Sequence, residues 1–131
     1  MSNNVKAAIA IIVNEQGEIL ISQRPFGVYM AGKWEFPGGK IEPFESPEEA
    51  LKRECFEELD IHVTECAHLL SLEHTYPEYT VELEVWRVTA YEGKVCGRES
   101  QRIAWVTIDA LEQYDLLEAC TPIIDSILSQ M

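Results

Sequence analysis

Positive charge is scarce in this sequence. Ten lysines and arginines stand against 23 aspartates and glutamates, for a net charge of −13. So acidic a chain offers no dominant basic face, which argues against a nucleic-acid polymer as partner. A small anionic ligand is still admitted, provided a cation inverts the local field. Cysteine pairs are missing as well. Cys55, Cys66, Cys96 and Cys120 form no CxxC unit and share no regular spacing, so reduced thiols in a cytoplasmic setting are expected. No apolar run is long enough to cross a bilayer, and the short polar stretch before Val5 carries no signal-peptide pattern. Repeats, low-complexity tracts and linkers are not seen, so residues 1–131 are expected to form a single domain around one core.

What is abundant is acid at fixed spacing. The stretch from Gly39 to Ile61 reads GKIEPFESPEEALKRECFEELDI. Ser46-Pro47-Glu48-Glu49 has the form of a capping box, with proline at the first helical position. From Glu48 to Leu59 there is no glycine, proline or β-branched residue, which predicts a helix. On a helical projection Leu51, Cys55, Phe56 and Leu59 share one arc, and Glu54, Glu57 and Glu58 fall opposite, around Ala50. These three glutamates are neighbours at i, i+3 and i+4, and Arg53 borders them within reach of Glu57. Adjacent like charges destabilise a helix unless a cation gathers them, and hard oxygen ligands suit Mg²⁺ or Mn²⁺. Taken alone, the same face reads more readily as a solvated acidic surface.

The offsets to Gly39 and Glu45 carry a more specific signal. Gly39, Glu45, Arg53-Glu54, apolar Cys55, Glu57-Glu58 and apolar Ile61 stand at the intervals of the Nudix box, and the chain resembles the Nudix hydrolase family. It departs at Asp60, where the family has glycine. Asp tolerates the left-handed conformation that closes a helix better than most residues do.

The rest of the chain reads as strands and short connections. Val5–Val13 and Glu18–Gln23 are expected to form a hairpin around Asn14-Glu15-Gln16-Gly17, with Arg24 at its end. Pro25–Lys33 reads as a loop, Trp34–Phe36 as a short strand, and Pro37-Gly38-Gly39 as its break. Ile61–Thr64 is a brief extended stretch. Leu69–Tyr76 and Thr80–Tyr91 read as strands, the second with Val81, Leu83, Val85 and Arg87 on one face. His62, His68 and His74 have no ligand spacing and read as structural. Val95–Arg102 reads as a loop and Ile103–Ile108 as the last strand. Asp109–Glu112 is expected to cap a short helix, and Thr121-Pro122 to open the terminal one. Strands with two helices, one early and one terminal, read as α+β or mixed α/β. The resemblance implies the Nudix fold, a mixed β-sheet sandwiched between α-helices.

The resemblance also implies roles. Glu54, Glu57, Glu58, the Gly38 carbonyl and Glu99 would bind a metal, Mg²⁺ or Mn²⁺. Glu99 would serve as a further ligand or as general base, and Arg53 would orient the carboxylates. Arg24, Phe36, Tyr76 and Cys120 would contact a small-molecule nucleotide. On composition alone Glu99 and Arg24 are surface residues, and Phe36 and Tyr76 are core or rim aromatics. The implied reaction is hydrolysis of a nucleoside triphosphate to its monophosphate and pyrophosphate. The fuller likeness is to the MutT-like branch, which cleanses oxidised dGTP from the nucleotide pool and so serves DNA repair. There an asparagine pairs with the oxidised purine where this chain has Cys120, and a thiol is a weak donor and acceptor. Cytidine nucleotides or nucleoside diphosphate derivatives are the alternative substrates. A module that binds nucleotide without cleaving it is the alternative of another class.

Overall fold

The structure, a computed structural model, describes residues 4–25, 27–28, 30–99 and 101–129. Phe26 and Tyr29 of the first expected loop, and Ser100 of the later one, lie outside the described residues. The elements in chain order are β1 (Asn4–Ile12), β2 (Ile19–Gln23), β3 (Trp34–Glu35), β4 (Gly38–Lys40), α1 (Pro47–Leu59), β5 (His62–Thr75), β6 (Thr80–Glu92), β7 (Ile103–Val106) and α2 (Cys120–Ser129). A 3-10 helix spans Ile108–Gln113.

Two sheets form. The first has strand order β4-β1-β6-β5 and the second β3-β2-β7. β1 lies parallel to β6, with Ile9 opposite Val85, and antiparallel to β4. The other pairings are antiparallel, so the larger sheet is mixed as expected. The expected hairpin of β1 with β2 is not made. Among the described residues the ladder between them is reduced to an isolated Val13–Ile19 bridge just past the end of β1, and β2 leaves for the second sheet. The reason lies in β1 itself. Ala8, Ala10 and Ile12 are buried in one apolar cluster, and Ala7 and Ile11 in another. A strand buried on both faces is stable as a central strand, where parallel pairing is common.

Those two clusters place the helices. Ala50, Leu51, Cys55 and Leu59 of α1 join the first cluster, and Cys120 and Ile123 of α2 join the second. Leu51 and Leu59 are fully buried, each contributing roughly 1.5–3 kcal/mol relative to exposure. Pro37-Gly38-Gly39 was expected to break a strand. Instead Gly38–Lys40 pairs with β1, and a Cβ at Gly38 would run into the Ala8 backbone. The extended stretch after α1 and the strand expected from Leu69 form one continuous strand, β5, with register shifts between Val63 and Leu70. The expected Asp109 cap is not seen either. Thr107 is the N-cap of the 3-10 helix and makes no side-chain capping bond.

Candidate active site

The acidic helix is held at both ends by polar contacts. Ser46 Oγ accepts from the Glu49 N–H at 3.1 Å, and Glu49 Oε1 accepts from the Ser46 N–H at 2.8 Å. At the far end Asp60 adopts φ 60°, ψ 37°, the left-handed cap expected of it. The loop after β6 docks there. Cys96 N–H donates to the Leu59 carbonyl at 3.0 Å, and Arg98 N–H and Gln101 Nε2 donate to the Glu58 carbonyl, both at 2.9 Å. Helix C-termini leave carbonyls unpaired, and this loop satisfies them. Gln101 Oε1 also accepts from the Glu99 N–H at 2.8 Å. The docking therefore fixes the backbone that carries Glu99.

The expected faces of α1 need one correction. Ala50, placed among the acids by projection, is fully buried, and Phe56, placed with the apolar arc, is 40% exposed. Phe56 lies outside against the His62 ring, with Arg98 over its own ring at 5.1 Å. The helix is rotated so that Glu54 and Glu58 are half-buried against the strands, while Glu57 stays exposed. Gly39 packs on the Glu54 carboxylate so closely that a Cβ there would overlap it. Glu58 Oε2 accepts from the Gly38 N–H at 3.2 Å.

Arg53 organises the carboxylates. Its Nη1 donates to Glu54 at 2.8 Å and to Glu57 at 3.1 Å, and its Nε donates to Glu45 at 2.6 Å. Its Nη2 reaches Glu45 and the Lys40 carbonyl, both at 2.9 Å. The guanidinium holds the Glu45 carboxyl well down, at about 2. Glu58 behaves in the opposite way. Burial, and then the nearby charges of Glu54, Glu99 and Glu35, push it up to about 9. Negative charge here exceeds what Arg53 neutralises.

Beside this cluster a cavity of about 240 Å³ opens between the larger sheet and α2. Arg24, Phe36, Tyr76 and Cys120 all line it, and so do Gly38 and Gly39. Phe36, Tyr76 and Cys120 are buried. Burial lifts the Cys120 thiol to about 12, so it stays neutral. Arg24 grips Glu35 with two bonds, Nε to Oε2 at 3.0 Å and Nη2 to Oε1 at 3.2 Å.

Residues 8–126 match the NUDIX domain family model. The chain belongs to the Nudix family. A Nudix relative, the 8-oxo-dGTP diphosphatase of Escherichia coli K12, is 38% identical over 120 residues, covering 92% of this chain and 93% of its own. The CTP pyrophosphohydrolase of the same organism is 35% identical, covering 92% and 90%. Among solved structures, one from a study of MutT of Aliivibrio salmonicida and Vibrio cholerae superposes with a TM-score of 0.83 at 36% identity, covering 98% of this chain and 99% of that one. The chain is thus a Nudix hydrolase, of an enzyme class acting on diphosphate linkages.

Within this Nudix domain the expected residues fall into two groups. Arg53, Glu54, Glu57 and Glu58 gather on α1, with Gly38 against Glu58. Arg24, Phe36, Tyr76 and Cys120 gather in the cavity. Glu99 is exposed and belongs with Glu58 in a second cleft of about 240 Å³ that also reaches Arg24 and Glu35. Among the described residues no three acidic, His or Cys side chains already close on one point as a metal nest. Glu35 escaped the sequence reading. It lines both clefts, and burial lifts its carboxyl although Arg24 pulls the other way. The available signal was a lone acid between Trp34 and Phe36 on a short strand. Gln101 escaped as well, because a loop glutamine has no pattern of its own.

Proposed function

We propose that this Nudix hydrolase cleaves nucleoside triphosphates to the monophosphate and pyrophosphate, using Mg²⁺ or Mn²⁺. The observation that carries this reading is the junction at Gly38-Gly39. These two residues line the cavity holding Arg24, Phe36, Tyr76 and Cys120, and they also pack on Glu58 and Glu54. A nucleotide with its base in the cavity would lay its phosphates beside the carboxylates. The names of the relatives, an 8-oxo-dGTP diphosphatase and a CTP pyrophosphohydrolase, support the same linkage.

The residues fit a divalent cation. Donors are all oxygen, and the elevated Glu58 marks surplus negative charge that a cation would relieve. Glu54, Glu57, Glu58, Glu99 and the Gly38 carbonyl would hold it. When bound, it would offset phosphate charge and acidify a water. Arg53 orients Glu54 and Glu57 while tied to Glu45 and the Lys40 carbonyl, the kind of outer support that fixes ligand geometry. Glu99, on its docked loop, would accept the proton of the attacking water if it is not itself a ligand. That water bonds to phosphorus, the anhydride P–O bond breaks, and pyrophosphate departs. Arg24, half-buried beside Glu35, offers the phosphates or the base edge a fixed cation.

The base is expected to be an oxidised or normal purine, following the 8-oxo-dGTP relative. One observation favours a pyrimidine instead. Cys120, a buried neutral thiol, cannot make the paired contacts of an amide. The test is an initial-rate panel with Mg²⁺ at slightly alkaline pH, resolving monophosphate and pyrophosphate. It includes 8-oxo-dGTP, dGTP, dCTP, CTP, an ADP-sugar and a dinucleoside polyphosphate. Preference for 8-oxo-dGTP supports the main reading, and preference for dCTP or CTP supports the second. Absence of Mg²⁺-dependent pyrophosphate release from every triphosphate would overturn both and leave a binding module.

A further inference from the structure

The apolar cluster under α2 has a cavity at each end. The first, already described, reaches Ala7 and Ile9 of β1 and Cys120 and Ile123 of α2. The second, of about 290 Å³, lies further along both elements, at Ile11 and Ile127. Ile11 and Ile19 are its buried floor, and half-buried Leu69, Ile108 and Ile127 are its walls. Its single polar side chain is Arg87.

Arg87 is out of place by pattern. Val81, Leu83 and Val85 on the same face of β6 are all buried and apolar, and Arg87 is the next residue of that face. It is exposed at the rim. Arg24, Arg53 and Arg98 each hold a carboxylate. The Arg87 guanidinium has no ion pair or side-chain hydrogen bond among the described residues, although the chain carries 23 acids. An arginine stem can lie along apolar surface with its head in water. An unpaired guanidinium over an apolar hollow complements an anion with an apolar tail.

The geometry points to a second ligand site here, one that takes a medium-chain carboxylate. The tail fills the hollow between β1 and α2, and the carboxylate caps Arg87. A nucleotide does not suit it. Apart from Arg87 the lining offers no side-chain donor or acceptor, so base and sugar would be buried without partners. The site is separate from the carboxylate cluster and does not rest on the proposed reaction.

The probe is octanoate, titrated into the full chain by calorimetry and by methyl NMR below its aggregation concentration. One saturable site is expected, with shifts at Ile11, Leu69 and Ile127 and none at Leu83 or Ile123. Arg87→Gln should weaken octanoate at least tenfold, Arg87→Lys should recover much of the loss, and octan-1-ol should bind the native chain as weakly as octanoate binds the Gln variant. Arg87 is exposed, and unchanged melting of both variants would establish that they fold. Absence of saturable binding, equal affinity in Arg87→Gln, or shifts confined to Leu83 and Ile123 would each overturn the site.

Discussion

The two helices pack on opposite faces of the same strands and are held there by different forces. α1 carries five glutamates and is pinned by a capping box, a left-handed cap, a docked loop and the Arg53 network. α2 has no acid in its first turn and is held by Cys120, Ile123 and their apolar neighbours. Directional bonds fix a side chain to within fractions of an ångström, while apolar packing fixes volume and tolerates exchange. Under the proposed function the two sides take different tasks. Phosphate chemistry needs position, which α1 would supply. Recognition of a base needs shape, and α2 would supply a wall that a few substitutions can change. Site and fold are thereby separable, as in other widely used folds.

The largest departure from this contrast is expected on the α1 side. Glu58→Gln should lower turnover on the order of 10²–10³-fold. The same variant should not melt below the native chain in chelator, because without metal the buried Glu58 side chain already holds its proton at neutral pH and Gln is its neutral isostere. A turnover within twofold of native would remove Glu58 from the machinery.

The metal-free protein should also reveal Glu58 through pH. Its folded value is about 9 and its ordinary value 4.5. The folded state therefore holds the proton more tightly than the unfolded state. Its contribution to stability is full below 4.5 and is lost as pH rises toward about 9. Denaturant melts in chelator between pH 5 and 9 should show this decline, and millimolar Mg²⁺ should flatten it. A slope that Mg²⁺ leaves unchanged would place the cation elsewhere.

On the α2 side the change should be one of preference. Cys120→Asn is expected to shift the kcat/KM ratio of 8-oxo-dGTP to dCTP toward the purine on the order of tenfold. The rate on the better substrate should stay near native. Loss of rate on all substrates alike would mean the two sides are coupled.

The smallest effects test the ends of α1. Ser46→Ala should cost about 1 kcal/mol in denaturant melts. Asp60→Gly should gain up to about 1 kcal/mol, since only the left-handed strain at φ 60° is relieved. Neither should change substrate preference. A change of preference with either would tie the cap to the cavity.

Much of α1 was legible in the sequence because its determinants are local. The capping box, the left-handed close at Asp60 and the Arg53–Glu57 pair span one to four residues, and these contacts follow from helical geometry alone. The gathering of Arg24, Phe36, Tyr76 and Cys120 was legible only by resemblance, since they are far apart along the chain. The β1–β2 hairpin was misread because an apolar run does not say which strand it pairs with.

By itself, then, the sequence determined the helix, its ends and the spacing of its acids, all set by contacts within a turn or two. Only the tertiary structure decided which way that helix turns, because burial of Ala50 and exposure of Phe56 depend on what packs against them. Tertiary structure likewise raised Glu58, joined Arg24 to Glu35 across β2 and β3, and left Arg87 over an apolar hollow. Each of these rests on groups brought together by sheet pairing, which no local pattern encodes.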